Sequence, residues 1–371
     1  MEQMENRKKW IFLLIFIGCI LRYLSMLYGH NFDFDSYLIV GDIVSQGGNV
    51  YEETSRYNYG PIFSWLQGFL YTISKILAVN SGHGIYRLLM VTVLLVTDLS
   101  IAYWCYKKYS WKIAIVFFLN PISIIITGFH NQFDNIAILF MLIASCYYNE
   151  RKSFGWDDFL FVVFFAISLS TKHIFFFFPF WILLSSNLPI KKRLLYSSLP
   201  CLIFFLCFIP YIQYGYEGIR DNVFLYKSFN NVPLIGRLFF MFNTEKLFYL
   251  FILLLGCFGF LFRKACINDK ILNYTLVLIA FSSAVANQYL VIPILAFLVY
   301  SINLKYIYLL CGFVFLLINI DGFALLGDFN GFFLKILNKL NSLEYFIACF
   351  LSFLLLMKNV HLFNSRIEKY L

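Results

Sequence analysis

Apolar residues run along this chain in long stretches that neither alternate nor keep to one helical face. The stretches lie at 10–28, 84–106, 112–127, 134–149, 158–171, 174–186, 194–214, 246–262, 271–285, 288–302, 306–320 and 343–358. A helix needs about 20 such residues to cross a bilayer, fewer where it tilts or the bilayer thins around it. A membrane β-strand would instead alternate over ~10 residues. The pattern therefore predicts an all-α, polytopic integral membrane protein of about 12 transmembrane helices, roughly 11 to 13. Several stretches are shorter than a full span, which predicts tilted, kinked or incomplete helices.

Charge sets the sides. Arg7, Lys8 and Lys9 precede the first stretch, Arg22 sits near its end, and no small-residue cleavage motif follows. This reads as a retained anchor with a cytoplasmic N-terminus. Lys107, Lys108, Lys112, Arg151, Lys152, Lys191, Lys192, Arg193, Arg263, Lys264, Lys270, Lys305, Lys358, Arg366 and Lys369 then fall on alternate connections. Most of the 29 basic residues thus collect on the cytoplasmic side, and the parity returns the C-terminus there too. The segment 61–79 is helical in period but must not cross if this parity is to hold. Its Ser64, Gln67 and Lys75 point to an interfacial or re-entrant helix at the outer leaflet, with a thirteenth crossing as the alternative. The chain, 1–371, is expected to form one integral domain, with 29–83 as the first extracytoplasmic loop and 215–245 as the second large one.

Composition narrows the class. The chain is 61% hydrophobic and 13% charged, where soluble domains carry about a quarter charged residues. The net charge of +9 is explained by the cytoplasmic connections and calls for no nucleic acid. The nine cysteines fall in spans or a cytoplasmic connection, and none has zinc-ligand spacing. Neither disulfides nor a cysteine metal site is expected.

Polar chemistry collects on the opposite, outer side. The first loop carries His30, Asp33, Asp35, Asp42, Glu52, Glu53 and Arg56, and the turn 128–135 carries His130, Gln132 and Asp134. Lys172 and His173 separate two apolar half-runs, 215–245 holds Glu217, Arg220, Asp221, Lys227 and Arg237, and Asn287 and Gln288 break a late hairpin. Glu52, Glu53, Glu217 and Asp221 read as solvated surface, and Asp98, inside a span, as a bridge between helices. Lys172 is either a snorkelling side chain or a functional cation. Asp33 and Asp35 either present together from an extended loop or sit on different sides of a helix. Together they could hold a divalent cation, or act as a base with an orienting partner.

No Gly-rich phosphate loop or dinucleotide fingerprint is present. A cavity of acids and bases on the outer face suits a polyprenyl-phosphate sugar instead. An Asp would take the proton of an acceptor hydroxyl, while Lys and Arg stabilise the departing lipid phosphate. Single displacement with one base inverts the anomeric centre.

The motifs extend this reading. Asp33-Phe34-Asp35-Ser36-Tyr37 leads through Asp42 and Tyr51 to Arg56-Tyr57-Asn58-Tyr59-Gly60-Pro61. Tyr86-Arg87-Leu88 precedes Thr97-Asp98-Leu99, and Asn120-Pro121 precedes Asn131-Gln132-Phe133-Asp134. Asn222 to Ser228 and Asn287-Gln288-Tyr289-Leu290 with Pro293 follow. In order and spacing, over roughly residues 20–295, these resemble the GT-C superfamily of membrane glycosyltransferases. They are most similar to polyprenyl- or dolichyl-phosphate-mannose-dependent mannosyltransferases, including the family of the GPI mannosyltransferase I catalytic subunit. The resemblance implies a first-loop acid as catalytic base and often no metal. Asn131 stands where that family often has Gly, Gly60 where Thr or Ser is common, and the Arg-Tyr order at Arg56 differs.

The chain is accordingly expected to move one hexose, mannose by resemblance, from a polyprenyl-phosphate donor to an extracytoplasmic glycolipid or glycan. Asp35, followed by Tyr37 as in the family, or Asp33 is the base. Lys172, Arg237 and His173 would meet the donor phosphate. Asp42, Arg56, Tyr57, Tyr59, His130, Gln132, Asp134, Lys227, Gln288 and Tyr289 would line the sugar and acceptor region. No cofactor is expected. Richness in Phe, Ile, Asn and Lys indicates an AT-rich bacterial genome, hence a plasma membrane and an undecaprenyl carrier. One alternative is a polymerase or ligase of lipid-linked oligosaccharides. Another is a flippase or transporter, which would carry its polar site near mid-membrane, often between inverted repeats.

Overall fold

The computed structural model describes residues 2–77, 82–151, 153–226, 234–239, 244–282, 285–301, 303–319 and 345–363, and no strand occurs among them. The helices are α1 (Glu2–Tyr28), α2 (Phe32–Ser45), α3 (Val50–Glu53), α4 (Pro61–Leu77), α5 (Gly82–Lys108), α6 (Trp111–Leu119), α7 (Pro121–Gly128), α8 (Asp134–Cys146) and α9 (Trp156–Thr171). They continue as α10 (Phe178–Leu183), α11 (Ile190–Leu206), α12 (Ile212–Gly218), α13 (Ile235–Leu238), α14 (Thr244–Leu261), α15 (Ile267–Phe281), α16 (Ile294–Tyr300), α17 (Leu304–Asn319) and α18 (Tyr345–Phe363).

Four stretches among the described residues are long and apolar enough to cross a membrane: Lys9–Tyr28, His83–Lys108, Ile190–Phe224 and Tyr345–Phe363. A fifth results if the bent pair α6–α7 is one span. The other expected runs are helical but shorter, such as α8 with 13 residues and α9 with 16. Trp10, Phe12, Phe16 and Leu27 project from α1 unburied by the folded chain. An apolar face of that extent needs a nonaqueous neighbour, which makes this a helical membrane protein.

The break between α6 and α7 has a local cause. Pro121 has no N–H to continue the first helix, and Asn120 caps the second by accepting from Ser123 N at 2.7 Å. The axis turns by 48° there.

Of the two arrangements open to Asp33 and Asp35, the first loop adopts the helical one: 29–60 is largely helical, and both acids occupy the first turn of α2. Carboxylates are stabilised there by the positive end of the helix dipole, so acidity marks a helix start rather than its absence. The helix α4 forms as its period predicts, but with its polarity inverted. Ser64, Gln67 and Ser74 are buried, while Trp65, Phe69, Ile76 and Leu77 face outward. The two serine hydroxyls are satisfied by the Pro61 and Tyr71 carbonyls of their own helix. Ser64 and Gln67 therefore give no water-facing side; among the polar residues of α4 that suggested one, only Lys75 is exposed.

The chain divides into two compact units. The first contains α1–α9, α11 and α12. Its centre is Asp98 of α5, fully buried. One carboxylate oxygen accepts from Arg22 Nε and Nη2 of α1 (3.0 and 2.8 Å), and from Ser123 and Thr127 of α7 (2.9 and 2.8 Å). The other oxygen accepts from Asn135 of α8 at 2.6 Å. A second buried pair, Lys192–Asp158 at 2.5 Å, ties α11 to α9. The second unit contains α13–α18 and the segment Phe180–Pro189. There Trp181 donates to the Leu255 carbonyl at 3.0 Å and stacks on Phe262.

Candidate functional site

Three chain breaks of the first unit supply one polar cluster: the start of α2, the turn between α7 and α8, and the end of α9. Each is fixed by a particular contact. Gly128 packs against the Arg22 carbonyl so closely that a β-carbon would collide with it, which holds the end of α7 to α1. The turn that follows needs Asn131 in the left-handed region, at φ 54°, which Gly and Asn adopt far more readily than other residues. Asn131 fastens this turn through its own amide, donating to the Thr127 and Gly128 carbonyls at 3.1 and 3.0 Å and accepting from Arg87 Nε at 3.2 Å. Arg87 also donates to the Gly29 carbonyl, joining the turn to the approach to α2. Gly60 meets the Ser170 backbone directly, which sets the start of α4 against the end of α9.

Asp33 is half-buried. Its Oδ2 accepts from Gln132 Nε2 at 2.5 Å and from Asn31 Nδ2 at 3.2 Å. Asn31 Nδ2 also faces His130 Nδ1 at 2.9 Å. Burial pushes the His130 ring down from 6.5 to about 4, so it is neutral at physiological pH. Beside these, the buried Lys172 ammonium pairs with Asp134 Oδ2 at 2.7 Å. It also lies over the rings of Phe133 and Tyr59, 4.7 and 5.2 Å from their centroids. Tyr37, one turn along α2 from Asp33 and on the same face, is buried with its hydroxyl unpaired. Asn31 Oδ1, His130 Nε2, Gln132 Oε1 and Asp134 Oδ1 are likewise buried without a hydrogen-bond partner. Buried polar atoms are nearly always paired, and each exception calls for an explanation.

The helix separates the two first-loop acids. Residues two apart lie about 200° around a helix, so Asp35 leaves the cluster and stands half-exposed, 3.8 Å from His30. Asp42, two and a half turns on, is paired with Lys75 at 2.7 Å, and that hydrogen bond holds its carboxyl below the usual range. Arg56 reaches back to the start of α2. Its guanidinium lies 3.8 Å above the Phe32 ring, and its Nε is buried and unpaired. Tyr57 is fully buried, and its hydroxyl is spent on the Gly60 carbonyl at 2.6 Å. Tyr59 packs edge-on against Phe133 and lies beside His173, whose ring centroid is 6.2 Å away.

Arg237, Gln288 and Tyr289 belong to the second unit. Arg237 lies over Phe346 there, and Gln288 and Tyr289 form part of a short 3-10 turn, Asn287–Val291. Lys227 lies outside the described residues. Among the described residues, no group of three or more His, Cys, Asp or Glu side chains is arranged to hold a metal. Asp33, His130, Gln132, Asp134, Lys172, Tyr59 and His173 thus come together as the sequence suggested, while Asp35 and Asp42 point elsewhere. Asn31 carries no signal in the sequence, since its part in the cluster depends on His130, 99 residues away. No protein family, curated protein or solved structure matches this chain.

Proposed function

We propose that this protein is a GT-C-type membrane glycosyltransferase. It moves a single hexose, mannose by resemblance, from a polyprenyl-phosphate donor to a glycolipid or glycan acceptor on the extracytoplasmic side of the plasma membrane. The observation that carries the reading is Asp33, a half-buried carboxylate held at one oxygen by two amides amid buried polar atoms that have nothing to bond. Such a carboxylate is oriented to receive a proton. Its neighbours are mostly acceptors (Asn31 Oδ1, Gln132 Oε1, Asp134 Oδ1), which suit a ligand rich in hydroxyl groups.

In the reaction the acceptor O–H bond breaks and its proton passes to Asp33. The acceptor oxygen bonds to the anomeric carbon, and the bond from that carbon to the phosphate oxygen breaks, its electron pair leaving with the lipid phosphate. The developing charge there needs a cation. Lys172 is committed to Asp134, so Arg56, which has no carboxylate partner among the described residues, is assigned to the phosphate.

Purified full-length protein, given a panel of polyprenyl-phosphate sugars with and without EDTA, tests this. Transfer from one donor is expected. It should fall by about 10²–10⁴ in Asp33→Asn, the usual contribution of a general base, and by less than ~10-fold in Asp35→Asn. Near-normal transfer by Asp33→Asn would remove Asp33 as the base. Failure of every donor would remove the reaction class.

A further inference from the structure

Asn31 is the N-cap of α2, a position where an Asn side chain ordinarily accepts from a free N–H of the first turn. It makes no such bond. Its Nδ2 faces Asp33 Oδ2 at 3.2 Å and His130 Nδ1 at 2.9 Å, and its buried Oδ1 has no partner. A carboxylate oxygen can only accept, so the Asn31 atom facing it is the NH2 group, with one hydrogen for each neighbour. His130 Nδ1 must then accept as well, and the hydrogen of the neutral ring sits on Nε2. That nitrogen is buried, unpaired and ready to donate. Gln132 brings a second donor to the same Asp33 oxygen. Both amides therefore converge on Oδ2, and among the described residues Oδ1 accepts from nothing.

We propose that Asn31 is the positioning residue of this site: it holds Asp33 by Oδ2 so that Oδ1 alone receives the acceptor proton, and it fixes His130 as the Nε2–H tautomer, a donor to an oxygen of the bound sugar or acceptor. The role in transfer rests on the glycosyltransferase reading; the hydrogen-bond arrangement does not. His130 gives up no proton in the step. It keeps its hydrogen and contributes one fixed donor among the acceptors Asn31 Oδ1, Gln132 Oε1 and Asp134 Oδ1.

The test uses full-length protein labelled with ¹⁵N-histidine in lipid, with His130→Gln to assign the His130 signals. In the parent, His130 should be a single neutral tautomer with its hydrogen on Nε2. In Asn31→Asp, which keeps the shape but replaces the donor by an acceptor, the hydrogen should move to Nδ1. The other histidine signals, unmoved, would mark the variant as folded. Transfer by Asn31→Asp should lose at least ~10²-fold in kcat, as for loss of an oriented base, with the donor KM within about threefold. An Nδ1–H tautomer in the parent, an unchanged tautomer in Asn31→Asp, or parental kcat in that variant would each overturn the proposal. If the parent transfers no sugar at all, the glycosyltransferase reading falls, and the His130 tautomer still decides whether Asn31 organises the cluster.

Discussion

At the scale of single residues, His130 carries a pH dependence whose sign is fixed by its burial. Its value in the folded chain, about 4, lies below the 6.5 it has when exposed. Between these values an unfolded chain binds a proton that the folded one refuses. The neutral ring thus contributes stability that is complete above pH 6.5 and is lost as the pH falls to about 4. The window is worth on the order of 3 kcal/mol. Thermal unfolding in detergent should therefore fall more steeply with acid over this range in the parent than in His130→Gln. Groups titrating in both proteins cancel in the comparison, so parallel slopes would show that the ring is not buried neutral. The sequence exposed His130 through its place beside Asp134 at the end of an apolar run. It could not expose the tautomer, which depends on Asn31, 99 residues away. The motif leans toward Asp35 as the base, whereas the helix turns Asp35 out of the cluster and leaves Asp33 in it.

At the scale of elements, Asp98 joins α1, α5, α7 and α8, and two of these helices flank the turn that carries His130 and Gln132. A bridge between helices was legible from an acid inside an apolar run. Its partners were not, since Arg22 lies 76 positions away and nothing local selects it. Removing one member of a fully buried pair strands the other, at a cost of about 3–5 kcal/mol, while replacing both by apolar groups of similar size is often nearly neutral. Asp98→Asn should accordingly unfold at a markedly lower temperature in detergent than the parent. The double variant Arg22→Met with Asp98→Leu removes the stranded charge but leaves the Ser123, Thr127 and Asn135 donors without their acceptor, and should recover only part of that loss. Parental stability of Asp98→Asn would mean that Arg22 finds water or another acceptor, and that the helices are held by packing alone. The same comparison bears on the site, because a loosened α7 would release the turn that presents Gln132 to Asp33.

At the scale of the whole molecule, the apolar runs were the most legible feature, since each run needs only its own composition to become a helix. The inverted α4 was hidden because its buried serines satisfy their hydroxyls within the helix, a pairing that polarity along the chain does not reveal. Sidedness is the property on which the proposed chemistry depends, because the donor and the acceptor are expected on the extracytoplasmic side. Cys266 is exposed on the connection between α14 and α15, where Lys and Arg collect; the bias of basic residues predicts a cytoplasmic position for it. Glu52 and Glu217 are exposed on connections of the opposite parity. A membrane-impermeant maleimide applied to intact cells should leave the parent unlabelled and mark it only after permeabilisation. Glu52→Cys and Glu217→Cys should both react in intact cells. Labelling of the parent before permeabilisation, with Glu52→Cys silent, would turn the start of α2 and Asp33 toward the cytoplasm. A nucleotide-linked donor would then be accessible to Asp33, and the polyprenyl-phosphate reading would lose its ground.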